Sequence, residues 1–384
     1  MKNKSGLVRF LLVGYGVAAG ALLLYSFTQV DLNLTITQMN IWQRLQTVFQ
    51  YIGFYQRPLS TAIYCAILLL FFGLYLCVLR AARNSLLSSR DAWKIIFVVS
   101  ALLVLSYPAF SYDIYNYMFT AKTVLVYGKN PYGVIPLQFL GIDPYLNFMR
   151  WTHLPSAYTP VWIFLTLPVY LLGFNVFLVT LWNFKLLVAG FYLAATWGIG
   201  KILERLEPDQ KTTGMVLFAL NPLILIESLV SAHNDVVMMA VVLLAWVLYL
   251  RKKTVASFFL LSVSVATKLM SGFLLPVFFL RWNRVHALIA MTVGFVLVCV
   301  QREVLPWYFV WIAPFVALLP RKTNITLLAT ALSLGLLLRY VHPLLFGPWG
   351  NPAPTLKLWV TILPVGVTAV VLLLKKALPT PKTR

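Results

Sequence analysis

Residues 158–174 read YTPVWIFLTLPVYLLGF. They are apolar enough to cross a bilayer, and whether they cross decides where every later loop lies. If they cross, Arg251-Lys252-Lys253 and the loop from Lys201 to Lys211 move to the outside. If they form a re-entrant or juxtamembrane helix on the outer side, the strong basic clusters share one face. Those clusters are Lys2, Lys4 and Arg9; Arg80, Arg83, Arg90 and Lys94; Lys201, Arg205 and Lys211; and Arg251 to Lys253. Arg281, Arg284, Arg321, Lys322, Lys375, Lys376, Lys382 and Arg384 complete them. We take this second reading, with both termini cytoplasmic and about 12 spans.

The rest of the chain reads as an all-α integral membrane protein. Of 384 residues, 61% are hydrophobic and 11% charged, against about 25% charged in soluble domains. A span needs about 20 apolar residues. Such runs fall at 8–27, 58–79, 95–110, 177–199, 213–231, 235–250, 286–303, 308–320, 324–341 and 355–375. The stretch from Lys253 to Arg281 is broken by Lys268 and reads as two short passes or a re-entrant hairpin. Continuous runs exclude a transmembrane barrel, whose strands alternate. The net charge of +21 sits in short clusters between runs, which signals orientation toward anionic lipid, so no nucleic-acid partner is expected. Cys65, Cys77 and Cys299 lie inside runs and read as packing residues. The first run lacks a small-residue cleavage site and reads as a retained helix. No linker divides the chain, so 1–384 is expected to be a single multi-pass domain of the plasma membrane.

The polar residues of interest gather on the outer face. The outer segment 111–157 is too long for a mere connector. It opens with Ser111-Tyr112-Asp113-Ile114-Tyr115-Asn116-Tyr117. A carboxylate ringed by tyrosines at a membrane exit is partly dehydrated, which raises its pKa toward a general base's range. Equally, Asp113 reads as a helix cap in an aromatic belt. Gly128-Lys129-Asn130-Pro131-Tyr132 is a turn, from which Tyr132 can line a pocket. Pro155 and Pro160 bar a continuous helix around His153, which reads as a structural histidine or a titrating one. Ser231-Ala232-His233-Asn234-Asp235 interrupts two apolar runs, and adjacent polar side chains at that depth are costly unless paired or functional. It also reads as a plain polar turn. Glu227 precedes it inside a span. No second histidine sits at ligand spacing, so no metal centre is expected. Lys185, Lys268 and Arg302 are cations in apolar surroundings; each reads as snorkelling or as holding an anion such as a lipid phosphate.

The order of these features resembles a known family. After Asp113 come Gly128 to Tyr132, Tyr158-Thr159-Pro160-Val161-Trp162 and Asn221-Pro222-Leu223. His233-Asn234-Asp235, Lys268 and Pro306-Trp307-Tyr308 follow. Over roughly residues 95–310 this is similar to GT-C glycosyltransferases that use polyprenyl-phosphate sugars, especially bacterial polyprenol-phosphate-mannose-dependent alpha-mannosyltransferases. The resemblance implies transfer of a hexose, mannose foremost, to a hydroxyl of a glycan or glycolipid acceptor at the outer face, with inversion. It places the general base on Asp113. It implies substrate contacts from Tyr115, Asn116, Tyr132, Tyr158, His233, Asn234 and Asp235, and phosphate contacts from Lys185, Lys268 and Arg302. No cofactor is implied, and no nucleotide-binding glycine loop is present. Two departures stand out: Thr159 where many relatives have Gly or Pro, and Lys185 where Arg is common. A lysine is a point charge rather than a fork. The rival reading is a transporter or flippase of a lipid-linked sugar, but no internal repeat of the kind transporters carry is evident.

Overall fold

The computed structural model describes residues 2–347 and 353–377, all helix and connecting turn with no strand among them. Among the described residues seventeen α-helices follow in order. They are α1 (Lys2–Ser26), α2 (Asn40–Gln50), α3 (Arg57–Arg83), α4 (Ser89–Val104), α5 (Asp113–Leu125) and α6 (Pro160–Leu171). Then come α7 (Phe177–Leu206), α8 (Lys211–Ala219), α9 (Pro222–Leu225), α10 (Asp235–Leu250), α11 (Thr254–Thr267) and α12 (Leu275–Phe279). The last are α13 (Arg284–Gln301), α14 (Ala313–Ala317), α15 (Thr323–Leu338), α16 (Val341–Phe346) and α17 (Ala353–Ala377). Local chemistry sets many of the starts. Ser88, Thr159, Asn221 and Asn283 each accept a backbone N–H of the following turn, and prolines occupy the first turn of α3, α6 and α9.

Among the described residues, six helical segments are long and apolar enough to cross a membrane: Lys4–Gln29, Arg57–Arg83, Phe177–Leu206, Arg284–Gln301, Thr323–Phe346 and Pro354–Ala377. This marks a helical membrane protein, but with fewer full-length spans than the twelve expected. The reasons are visible locally. The run 213–231 is split at Asn221-Pro222, where the two halves bend by 57°. α4 and α10 hold 16 residues each, about 24 Å of helix against a hydrocarbon core of about 30 Å. The expected span 308–320 is instead a 3₁₀ turn (Pro306–Trp311) followed by α14, and residues 308–320 are all buried. Its apolarity serves the interior, not lipid. The stretch after Lys253 does break at Lys268, whose backbone is extended between α11 and the next turn. α6 holds 12 residues, about 18 Å.

The core forms around α10. Twelve of its 16 residues are buried, as expected of a helix apolar on every side. It packs between α7, α11 and the 306–311 turn. The approach to α7 depends on Gly198, where an added Cβ would lie 3.0 Å from Leu243 Cβ. Small residues let helices close up where lipid removes the usual hydrophobic drive. By contrast α13 and α17 leave Val293, Val300, Val367 and Leu373 exposed, the surface expected against acyl chains.

Candidate functional site

Irregular backbone inside a membrane protein is tolerated only where it is buried in protein or lines a cavity. Here several breaks converge. α9 runs through a π-turn (Ile226–Val230) into the non-helical residues 231–234, where Ala232 adopts φ 56°. α10 begins at Asp235, α11 ends at Lys268, and the Pro306–Trp311 turn lies against both α9 and α10. α5, beginning at Asp113, closes the group. So each break delivers a polar side chain that a regular helix would have pointed elsewhere.

A cavity of about 400 Å³ opens here, lined in part by Asp113, Asn116, Tyr158, Arg302 and Trp307. That volume falls within the range of small-molecule sites. The Asp113 side chain is 20% exposed, and its Oδ2 lies 3.4 Å from His233 Nδ1. The other ring nitrogen, Nε2, lies 3.3 Å from Glu227 Oε2. These are ion-pair distances rather than aligned hydrogen bonds. Glu227 Oε1 accepts a 2.8 Å hydrogen bond from the Tyr340 hydroxyl. The imidazole stacks on Trp307, with centroids 4.2 Å apart. Asp113, His233, Glu227 and Tyr340 thus form one line from the cavity into the core. Burial alone depresses the His233 pKa, but the carboxylates of Asp113 and Glu227 outweigh it and raise it to about 9. Arg302 lines the same cavity, and its side chain makes no hydrogen bond or ion pair among the described residues.

Asp235 belongs to a neighbouring cluster. Its Oδ1 accepts from Lys268 Nζ at 2.7 Å and from the Trp311 indole N–H. Lys268 also donates to Asn234 Oδ1 at 3.4 Å. The Asn234 N–H reaches the Tyr117 hydroxyl at 3.4 Å, and Tyr117 packs edge-on against Tyr158 and Trp162. The cluster therefore supports the cavity wall without lining it.

The remaining expected residues lie elsewhere. Tyr132 donates to the Tyr158 carbonyl at 2.6 Å and ties the loop after α5 to the start of α6. Tyr115 is buried against Tyr107, Phe148 and Phe177 and is not part of the cavity wall. Lys185 is buried in the bundle. Its ammonium donates to Leu103 O at 3.1 Å, Ser106 Oγ at 2.8 Å and the Ser106 carbonyl, capping the end of α4. Glu303 does not pair with Arg302. It bonds Lys357 at 2.7 Å and Arg339 at 3.3 Å.

Sequence reasoning overlooked one buried pair. Lys122 Nζ lies 2.7 Å from Asp143 Oδ2, with 7% and 0% of the two side chains exposed. Asp143 also accepts from Tyr127 OH at 2.8 Å and from the Tyr145 N–H at 2.9 Å. Burial, reinforced by the bond to Asp143, pushes the Tyr127 phenol up to about 12. A lysine facing the interior of α5 was the available signal.

The fold and the site define a helical membrane protein with a carboxylate–imidazole–carboxylate line that starts at a cavity wall. Residues 13–284 match the family described as Alpha-(1->6)-mannopyranosyltransferase, N-terminal domain, and the chain belongs to that family. It is 29% identical over 185 residues to Alpha-(1->6)-mannopyranosyltransferase A of Mycobacterium tuberculosis. That match spans 47% of this chain and 34% of the relative, about a third of the curated protein's length. No solved structure matches the chain.

Proposed function

We propose that this protein transfers a mannosyl group from a polyprenyl-phosphate sugar to a hydroxyl of a glycan or glycolipid acceptor at the outer face of the plasma membrane. The observation that carries the reading is Asp113, partly exposed at the cavity and backed by His233, with Arg302 on the same cavity wall system. Family membership supports mannose as the sugar.

The acceptor oxygen attacks the anomeric carbon from the face opposite the phosphate, so the configuration inverts. A new C–O bond forms, the bond from that carbon to the phosphate oxygen breaks, and Asp113 takes the acceptor's proton. His233, lying between Asp113 and Glu227 and stacked on Trp307, backs the Asp113 carboxylate. The departing lipid phosphate gains negative charge and needs a cation more than an acid. Arg302 supplies that charge, and its fork suits a phosphate. Lys268, 30% exposed beside Asp235, is the second cation near the site. Lys185 has its donors committed to α4, so we assign it to holding that helix. Asn116 and Tyr158 contact the sugar or acceptor across the cavity.

The test is transfer of radiolabelled mannose from synthetic polyprenyl-phosphate mannose by purified protein in liposomes. Formation of a mannosylated acceptor, lost on Asp113→Asn, is the expected result. Movement of the donor across the bilayer without a new glycosidic bond overturns the reading in favour of a transporter.

A further inference from the structure

The segment between α1 and α3 carries a helix whose sidedness the proposed chemistry does not explain. α2 turns polar side chains inward and apolar ones outward. Gln46 is 5% exposed and Gln50 8%. Gln46 donates to the Leu34 carbonyl at 2.5 Å and accepts from Trp42 Nε1 at 3.0 Å. Gln50 donates to the Asp31 carbonyl at 2.7 Å. Trp42 and Phe49 pack on Phe27 at the end of α1. Just beyond, Gly53 lies so close to the Thr28 carbonyl that a Cβ there would collide with it. The inner face is therefore fully committed to the protein.

On the opposite side Ile41 is 73% exposed, Leu45 47% and Val48 58%. Their spacing of four and three residues puts them on one stripe. Tyr55, 67% exposed, and Leu59, 50% exposed, carry that stripe onto the first turn of α3. α3 is one of the candidate spans, with Leu69 and Leu76 exposed further along it. The third side of α2 is polar, with Arg44 and Thr47 exposed. Three separate sides, for protein, water and an apolar phase, are what a helix lying in a membrane interface needs.

We infer that α2 is a membrane-interface helix, seated on the lipid surface between the ends of α1 and α3 with Ile41, Leu45, Val48 and Tyr55 in the headgroup–acyl boundary. Continuity with the exposed face of α3 selects lipid as the occupant. The loop that α2 grips is tied onward, because Ser26 Oγ accepts the Tyr107 N–H at 2.9 Å. Tyr107 lies on the chain that leads into Asp113. Anchoring α2 therefore fixes the height of the outer loop relative to the bilayer. This inference does not depend on the proposed transfer reaction.

The test uses the full chain in phosphatidylglycerol–phosphatidylethanolamine liposomes, with Cys65, Cys77 and Cys299 replaced by alanine. Nitroxide labels are attached singly through Ile41→Cys, Leu45→Cys, Val48→Cys, Arg44→Cys and Thr47→Cys, with Leu69→Cys as the lipid-facing reference. All five α2 positions are exposed, so each substitution spares the packed side. The expected result is a several-fold higher ratio of oxygen to nickel-chelate accessibility at 41, 45 and 48 than at 44 and 47, approaching that of position 69. Equal nickel access at all five positions overturns the inference. So does spin–spin broadening at 45 and 48 on raising protein density, which would assign the stripe to a second copy.

Discussion

Asp113 and Asp143 both lie within residues 111–157, and the protein treats them in opposite ways. Asp143 has no exposed side-chain surface and is saturated by Lys122, Tyr127 and the Tyr145 amide. Asp113 keeps 20% of its side chain exposed, has His233 at 3.4 Å, and faces a cavity. One carboxylate has its charge committed to holding a loop. The other is braced from behind and open in front. A buried ion pair contributes little net stability over an apolar pair, but losing one partner is costly. An open, oriented carboxylate contributes little to stability and is free for proton transfer. The contrast is in the partners, not in the residue type.

The two sites are expected to separate cleanly under substitution. Asp113→Asn lowers the rate of mannosyl transfer by about 10³-fold, while its thermal midpoint in detergent stays near that of the parent. A variant that unfolds instead would merge the two aspartates into one class. Asp143→Ala strands the buried Lys122 ammonium and destabilises by about 3–5 kcal/mol. Thermal unfolding followed by circular dichroism measures it, and Lys122→Met in the same chain is expected to recover part of the loss. Arg302→Ala lowers kcat by about 10²-fold with unfolding unchanged, whereas Arg302→Lys keeps more of the rate than the alanine. Tyr127→Phe removes one bond to a carboxylate that retains two others, and costs about 1.5 kcal/mol, with transfer by the folded fraction unaffected.

What the sequence revealed follows the same division. Long apolar runs announced a helical membrane protein, because burial in lipid leaves a signal at every position of a span. The number of full-length spans was not legible. The bend at Asn221-Pro222 and the buried turn at 306–311 use the same residue types as a span, and only packing tells them apart. Asp113, Asn116, Tyr158 and Arg302 were picked out by type and order, and all four line the cavity. Lys185 read as snorkelling or as holding an anion because its partners, carbonyls at the end of α4, leave no mark in a side-chain sequence. The Lys122–Asp143 pair went unseen for a related reason. Its members are separated by a turn-rich loop with no periodicity to bring them together.

The Lys122–Asp143 contact also constrains the history of this chain. A change at either position alone passes through a form with a stranded charge in the interior. The route from this ion pair to an equally stable apolar pair therefore needs two substitutions, the first of them harmful. The aromatic contact of the Lys122 ammonium over the Tyr145 ring, at 3.9 Å, makes the first step harder still. Arg302 carries no such obligation. As the protein diverges, Lys122 and Asp143 are expected to change together, whereas a change at Arg302 strands no partner charge.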